Sequence, residues 1–423
     1  MLNKSYQNHK ETIHNFLWRF FQIFGKQGIT FLIFIICAKL LTPYEFGIYN
    51  YILSIIFLLI IFSDFGISTA ASRYVTEYNI TDKEKLKSVL FNTGIIIIFL
   101  GAVISLTILF FSKSYLGDKY LYVLYLLPLV FLAPITSLYD GIFRGLKKFR
   151  YLAIISLTVG LISLSFVYIL IKKYGLMGAL ISQNFFYLLL LVALGLGYRE
   201  FSFKINKDVI KDIGKYSLII GSANISYFLY TRIDVLILGH FNYIVEIGIY
   251  EIVNKVIMLL ILPFTIISQV IAPDITRLYS SKKTDHVLKK FKKYMLLSFL
   301  LGFASSLFTM IFFNMVLKVF LSEYYNSTII FALNILLFIF LFQCVNHVAG
   351  NGFSIATGHA KINLYVLIIF GFLNVIIGIM LIKTFGFNGL IYTKLIVGIL
   401  ANTSFILYYY KILIKEVKNA TIR

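Results

Sequence analysis

Five cations stand inside apolar stretches of this 423-residue chain: Arg19, Lys26, Arg232, Lys255 and Lys394. Asp64, Asp140, Asp234, Glu246 and Glu251 are the anions in or beside the same stretches. A charge at the centre of a bilayer costs roughly 2.5–3.5 kcal/mol on insertion scales, so such residues mark a polar path or a buried partner. Cations at several depths suit a multiply charged anion such as a phosphate, arginine through its planar fork and lysine as a point charge. Arg19 and Lys26 are seven residues apart, which puts them on one helix face about 10 Å apart along the axis. Arg232 and Asp234 are roughly 200° apart, so each needs a partner on another helix, or water. Glu251 and Lys255 have the i, i+4 spacing and order of a local ion pair. Asp64 and Asp234 are candidates for coupling to a proton or sodium ion. His347, the histidine in mid-stretch, reads as a hydrogen-bonded helix-packing residue. No catalytic cluster, metal-ligand spacing or nucleotide loop stands out, so no cofactor or metal is expected.

The elements that hold these charges are membrane spans. Hydrophobic residues make up 60% of the chain and charged residues 13%, against about 25% charged in a soluble domain. That excludes a soluble enzyme, a nucleic-acid-binding domain and a disordered chain. Twelve apolar segments are long enough to span as helices, from 17–40 to 387–410. The net charge of +21 concentrates in alternate short loops. By the positive-inside rule both termini are then cytoplasmic and the chain is a multi-pass protein of the cytoplasmic membrane. Cys37 and Cys344 lie within apolar segments and form no disulfide framework. The N-terminus lacks the small-residue cleavage site of a removable signal.

An internal repeat organises the spans. Glu45-Phe46-Gly47-Ile48-Tyr49 matches Glu246-Ile247-Gly248-Ile249-Tyr250, and Tyr174-Gly175-Leu176-Met177-Gly178 matches Phe385-Gly386-Phe387-Asn388-Gly389. Arg73 matches Arg277. The offsets are about 201, 211 and 204 residues. The fold class expected is all-α: twelve transmembrane helices in two parallel six-helix repeats, a transporter arrangement. The repeats give an N-lobe over 1–200, a cytoplasmic linker over 201–212 and a C-lobe over 213–423. They also align Lys394 with Gln183. Lys26, Arg232 and Lys394 are expected to present unneutralised charge to a central path, with Arg19 at its inner mouth.

Several motifs carry a family resemblance. Leu41-Thr42-Pro43-Tyr44-Glu45-Phe46-Gly47-Ile48-Tyr49, Asp64-Phe65-Gly66-Ile67-Ser68 with Arg73-Tyr74, Phe143-Arg144-Gly145-Leu146-Lys147-Lys148-Phe149, Arg232-Ile233-Asp234 with Leu238-Gly239, and Ala356-Thr357-Gly358-His359-Ala360-Lys361 resemble, in order, the loops and helix ends of O-antigen and capsule-type polysaccharide flippases. These belong to the multidrug/oligosaccharidyl-lipid/polysaccharide exporter superfamily, which also holds the multidrug and toxin extrusion (MATE) exporters. The resemblance implies a MATE-like fold and export of undecaprenyl-pyrophosphate-linked oligosaccharide from the inner to the outer leaflet by alternating access. The partners it implies are that lipid-linked oligosaccharide, membrane lipids, and a polysaccharide polymerase with its chain-length machinery; nucleic acid is not among them. Two alternatives are weighed. A multidrug-type exporter of cationic drugs needs an anionic cavity, which the net-cationic set opposes. A membrane-embedded enzyme on lipid-linked sugars needs a base or nucleophile, and none is evident.

Overall fold

The computed structural model describes residues 2–198 and 200–421; the side chains of residues 2–17, 19, 20, 420 and 421 are outside what is described. Arg19 is therefore placed on its helix but its side chain lies outside the described residues. Every described regular element is helical. In order they are α1 (Leu2–Leu40), α2 (Pro43–Asp64), α3 (Ile67–Thr81), α4 (Lys83–Leu116), α5 (Tyr120–Leu126), α6 (Leu129–Gly145), α7 (Phe149–Gly197), α8 (Lys207–Thr231), α9 (Ile233–His240), α10 (Ile244–Ser280), α11 (Thr284–Phe320), α12 (Ser327–Val348), α13 (Lys361–Phe385) and α14 (Phe387–Thr421). A π-turn, Ala349–Ser354, extends α12.

Nine stretches among the described residues are long and apolar enough to cross a membrane. Two of them, 83–145 and 149–197, fold back as hairpins, and α8 with α9 adds a further span. The result is twelve crossings, six in each repeat, as the apolar pattern predicts. The hairpins turn at glycines with positive φ, Gly117 at +54° and Gly175 at +54°. Only glycine takes such a conformation freely.

The repeat is visible in bonding. Gly175 has φ 54° and ψ −131°, and Gly386 has φ 57° and ψ −134°. Three residues on, a Cβ at Gly178 would meet the Leu170 carbonyl, and one at Gly389 the Leu381 carbonyl. The Thr76 hydroxyl donates to the carbonyls of Ser72 (3.0 Å) and Gly145 (3.2 Å). Thr276 repeats this with Ala272 (3.0 Å) and Ala356 (3.2 Å), and because Arg277 follows Thr276 while Arg73 precedes Thr76, the expected match of Arg73 with Arg277 does not hold. The Tyr78 hydroxyl donates to Asp212 at 2.9 Å, and that of Tyr279 to Glu416 at 2.8 Å.

Packing divides the chain into two compact units, Met1–Ile225 and Ser226–Arg423. The division falls within α8. Val209 and Ile213, fully buried near its start, join the core of the first unit with Leu86, Val89, Leu138 and Leu152. The segment expected as a linker is tied down over part of its length: Ser202 N–H donates to the Lys87 carbonyl (3.0 Å), and Asn92 bonds both the Lys204 carbonyl and the Asn206 N–H, each at 3.0 Å.

Candidate substrate-binding site

The charges of the second unit gather where α8 breaks. Thr231 ends α8, Arg232 takes φ −132° and ψ −16°, and α9 restarts at Ile233. The break strands carbonyls of the last turn of α8, which would be costly away from water. Asn374 on α13 answers part of this, donating its amide to the carbonyls of Leu229 (3.0 Å) and Tyr230 (3.3 Å). Lys394 on α14 donates to the Tyr230 carbonyl at 3.3 Å. Gly371 on α13 lets that helix come close, since a Cβ there would lie 3.0 Å from the Ser226 carbonyl oxygen.

Two ion pairs cross between helices at the same place. Arg232 Nη1 donates to Glu251 Oε1 of α10 at 2.5 Å. Lys394 Nζ stands 3.0 Å from Asp234 Oδ1 in the first turn of α9. Asp234 and Glu251 are buried, at 1% and 4% exposure. Lys255, half-buried, stands one turn further along α10 from Glu251. The cluster thus holds three cations and two carboxylates.

The pairing corrects the sequence expectation at two points. Arg232 and Lys394 were expected to carry unneutralised charge; each has a carboxylate from another element against it. Glu251, expected beside Lys255 on its own helix, also reaches Arg232 across the break. Arg232 and Asp234 do avoid each other and find partners on other helices, as their angular separation requires. The physical reason is desolvation: a buried carboxylate without a counter-charge costs several kcal/mol, and the broken helix brings Arg232 to Glu251.

In the first unit Lys26 is exposed on α1. Gln22, one turn earlier, is buried and donates to Asp140 Oδ1 of α6 at 3.0 Å, while Arg144 Nε pairs with Asp140 Oδ2 at 2.8 Å. Sequence reasoning missed this link between α1 and α6. The signal was a glutamine on an apolar face, between Arg19 and Lys26 in sequence. Asn374, likewise missed, is a polar residue in an otherwise apolar run. Asp64 accepts from the Ser68 N–H at 3.1 Å and from its hydroxyl. It thereby bridges the α2–α3 break, where Phe65 and Gly66 have φ of 40° and 79°. His347 contacts Thr265 at 2.9 Å between α12 and α10, the helix-packing role expected of it.

Comparison with known proteins follows this geometry. The family described as "Polysaccharide biosynthesis protein" matches residues 13–279. The chain belongs to that family. The MatE family matches residues 220–380, which include Arg232, Asp234, Glu251, Lys255 and Asn374. No curated protein matches the chain. Among solved structures, an inward-facing multidrug resistance MATE transporter of the superfamily superposes with a TM-score of 0.80 at 16% identity, over 95% of this chain and 99% of that one. An outward-facing MATE transporter gives 0.63 at 17% identity, over 97% and 96%. A superfamily transporter from Pyrococcus furiosus, described as having a binding pocket of reversed polarity, gives 0.61 at 16% identity, over 96% of each chain. This member of the polysaccharide biosynthesis protein family is a multi-pass membrane protein with a MATE-like fold.

Proposed function

We propose that this protein moves undecaprenyl-pyrophosphate-linked oligosaccharide from the inner to the outer leaflet of the cytoplasmic membrane, by alternating access and with both termini cytoplasmic. The observation that carries the reading is the net-cationic cluster of Arg232, Lys255 and Lys394 inside the crossing helices of a polysaccharide biosynthesis protein. A guanidinium binds phosphate oxygens in pairs, and two ammonium groups add point charge. Arg19 and Lys26 on α1 are assigned to the same substrate path at another stage of transit. The prenyl tail stays in lipid. An inside-negative potential favours the movement by about 2.3 kcal/mol per expelled negative charge per 100 mV. A cationic drug would meet a site of its own sign, so the multidrug reading is disfavoured.

The test is surface display of glycan in a deletion strain complemented with variants at matched protein level. Arg232→Ala should abolish display and leave lipid-linked intermediates in the inner leaflet. Arg232→Lys should restore it only in part, lacking the fork. Lys292→Ala, in a loop, should display normally. Wild-type display by Arg232→Ala would defeat the reading.

A further inference from the structure

The charge count of the second-unit cluster does not match its proposed cargo. Arg232, Lys255 and Lys394 against Asp234 and Glu251 leave a surplus of one positive charge. A pyrophosphate joined to a lipid at one end and a sugar at the other carries about two negative charges, one per diester phosphate. Bound beside the cluster as it stands, it would leave a negative excess in a poorly solvated site. One carboxylate has to give way.

We propose that Glu251 is an internal anion that the substrate phosphate displaces from Arg232, and that the displaced carboxylate takes a proton from water. The inference rests on the reading that a lipid-linked pyrophosphate binds here, and it adds the residue that couples binding to a proton. The two ion pairs differ in how readily they exchange. The side chains of Arg232 and Glu251 are 27% and 6% exposed, those of Lys394 and Asp234 15% and 2%. Arg232 is the more open cation. Its contact with Glu251 engages Nη1, and a guanidinium has five N–H donors in a fork that fits two phosphate oxygens. Asp234 is the more deeply buried carboxylate and sits in the first turn of α9, where the helix dipole favours a carboxylate. Lys394 also bonds the Tyr230 carbonyl, so breaking that pair would disturb the helix break as well.

Once displaced, Glu251 is a buried carboxylate that has exchanged the guanidinium for a phosphate of its own sign, with Lys255 one turn along its helix, and proteins relieve such a state by protonation. The charged and titratable groups around it are Arg232, Asp234 beside Tyr250, Lys394, and Lys255 on its own helix. With a proton on Glu251 the cluster has a surplus of two positive charges, which matches the diester. No covalent bond changes: one proton moves from water to a Glu251 oxygen as the arginine–carboxylate contact is exchanged for arginine–phosphate. Release of the lipid reverses both.

The experiment is calorimetric titration of the purified full-length protein with a synthetic prenyl-pyrophosphoryl-N-acetylglucosamine. Buffers of different ionisation enthalpy are used to count protons. Wild type should take up about one proton per lipid, and its affinity should fall by up to tenfold per pH unit as pH rises. Glu251→Gln should take up none, bind with an affinity flat in pH, and bind at least tenfold tighter than wild type at pH 8. Glu251→Asp keeps a carboxylate and should keep the proton uptake. Proton uptake that persists in Glu251→Gln, or binding by it no tighter than wild type in a monodisperse, folded sample, would overturn the proposal. So would lipid binding by wild type without proton uptake, which would mean that Glu251 passes to Lys255 as an ion. Absence of binding by wild type would instead remove the reading on which the proposal rests.

Discussion

Gln183 and Lys394 occupy the same place in the two repeats, one turn beyond the paired Gly178 and Gly389, and do different things. Gln183 Nε2 donates to the Tyr49 hydroxyl at 2.7 Å. Lys394 Nζ pairs with Asp234 at 3.0 Å, in the unit where the repeat counterpart of Tyr49 is the buried Tyr250. A neutral hydrogen bond ties the helices of one unit together and an ion pair ties those of the other. The neutral contact is worth about 1 kcal/mol. The ion pair contributes no more on balance, because desolvating its charges offsets most of their attraction. The fold could therefore have been held without charge in the second unit, as it is at this position in the first. The charges there are better understood as serving an anionic cargo than as serving stability.

Breaking the ion pair from one side should have the largest effect on stability. Asp234→Ala leaves the Lys394 ammonium largely buried without its carboxylate and should cost about 3–5 kcal/mol. It should be seen as a large fall in melting temperature of the detergent-solubilised protein. The hairpin glycines should come next and should not distinguish the units. Gly178→Ala and Gly389→Ala each drive a Cβ into a backbone carbonyl, costing about 3 kcal/mol or more. Unequal melting shifts between these two would show that the repeat is weaker in energy than in geometry. Smallest is Tyr49→Phe, which loses the hydroxyl's hydrogen bonds with Gln183 and Cys37, about 1 kcal/mol each. A loss as large as that of Asp234→Ala would erase the contrast between the two units.

The fold was legible because its signals are long and redundant. Twelve apolar runs, loop cations and two glycine-containing matches all point to the same topology, and Gly175 and Gly386 sit at the turns for a reason that one residue type discloses. The site was legible only in part. That Arg232 and Asp234 need separate partners follows from helix geometry within one segment. Which partners they take depends on the break at Arg232, which lets Glu251 reach back to it from the next helix. No spacing along the chain encodes that contact. Asn374 and Gln22 escaped notice because an uncharged amide costs less to bury than a charge and so stands out less in an apolar run. Asp64 looked like a coupling residue by its depth, and its bonds to Ser68 show it also closing a helix break.

The central claim is that charge in the second unit serves transport and is dispensable to the fold. The double variant Asp234→Asn with Lys394→Gln tests it most directly, since it replaces the ion pair by neutral amides of similar size, much as the first unit does with Gln183 and Tyr49. Melting temperature and surface glycan display should be measured on the same variant at matched protein level. The account predicts a melting temperature within a few degrees of wild type, since neutral replacement of a buried pair is often without net cost, and display reduced at least tenfold. Wild-type display from a variant of unchanged stability would contradict it.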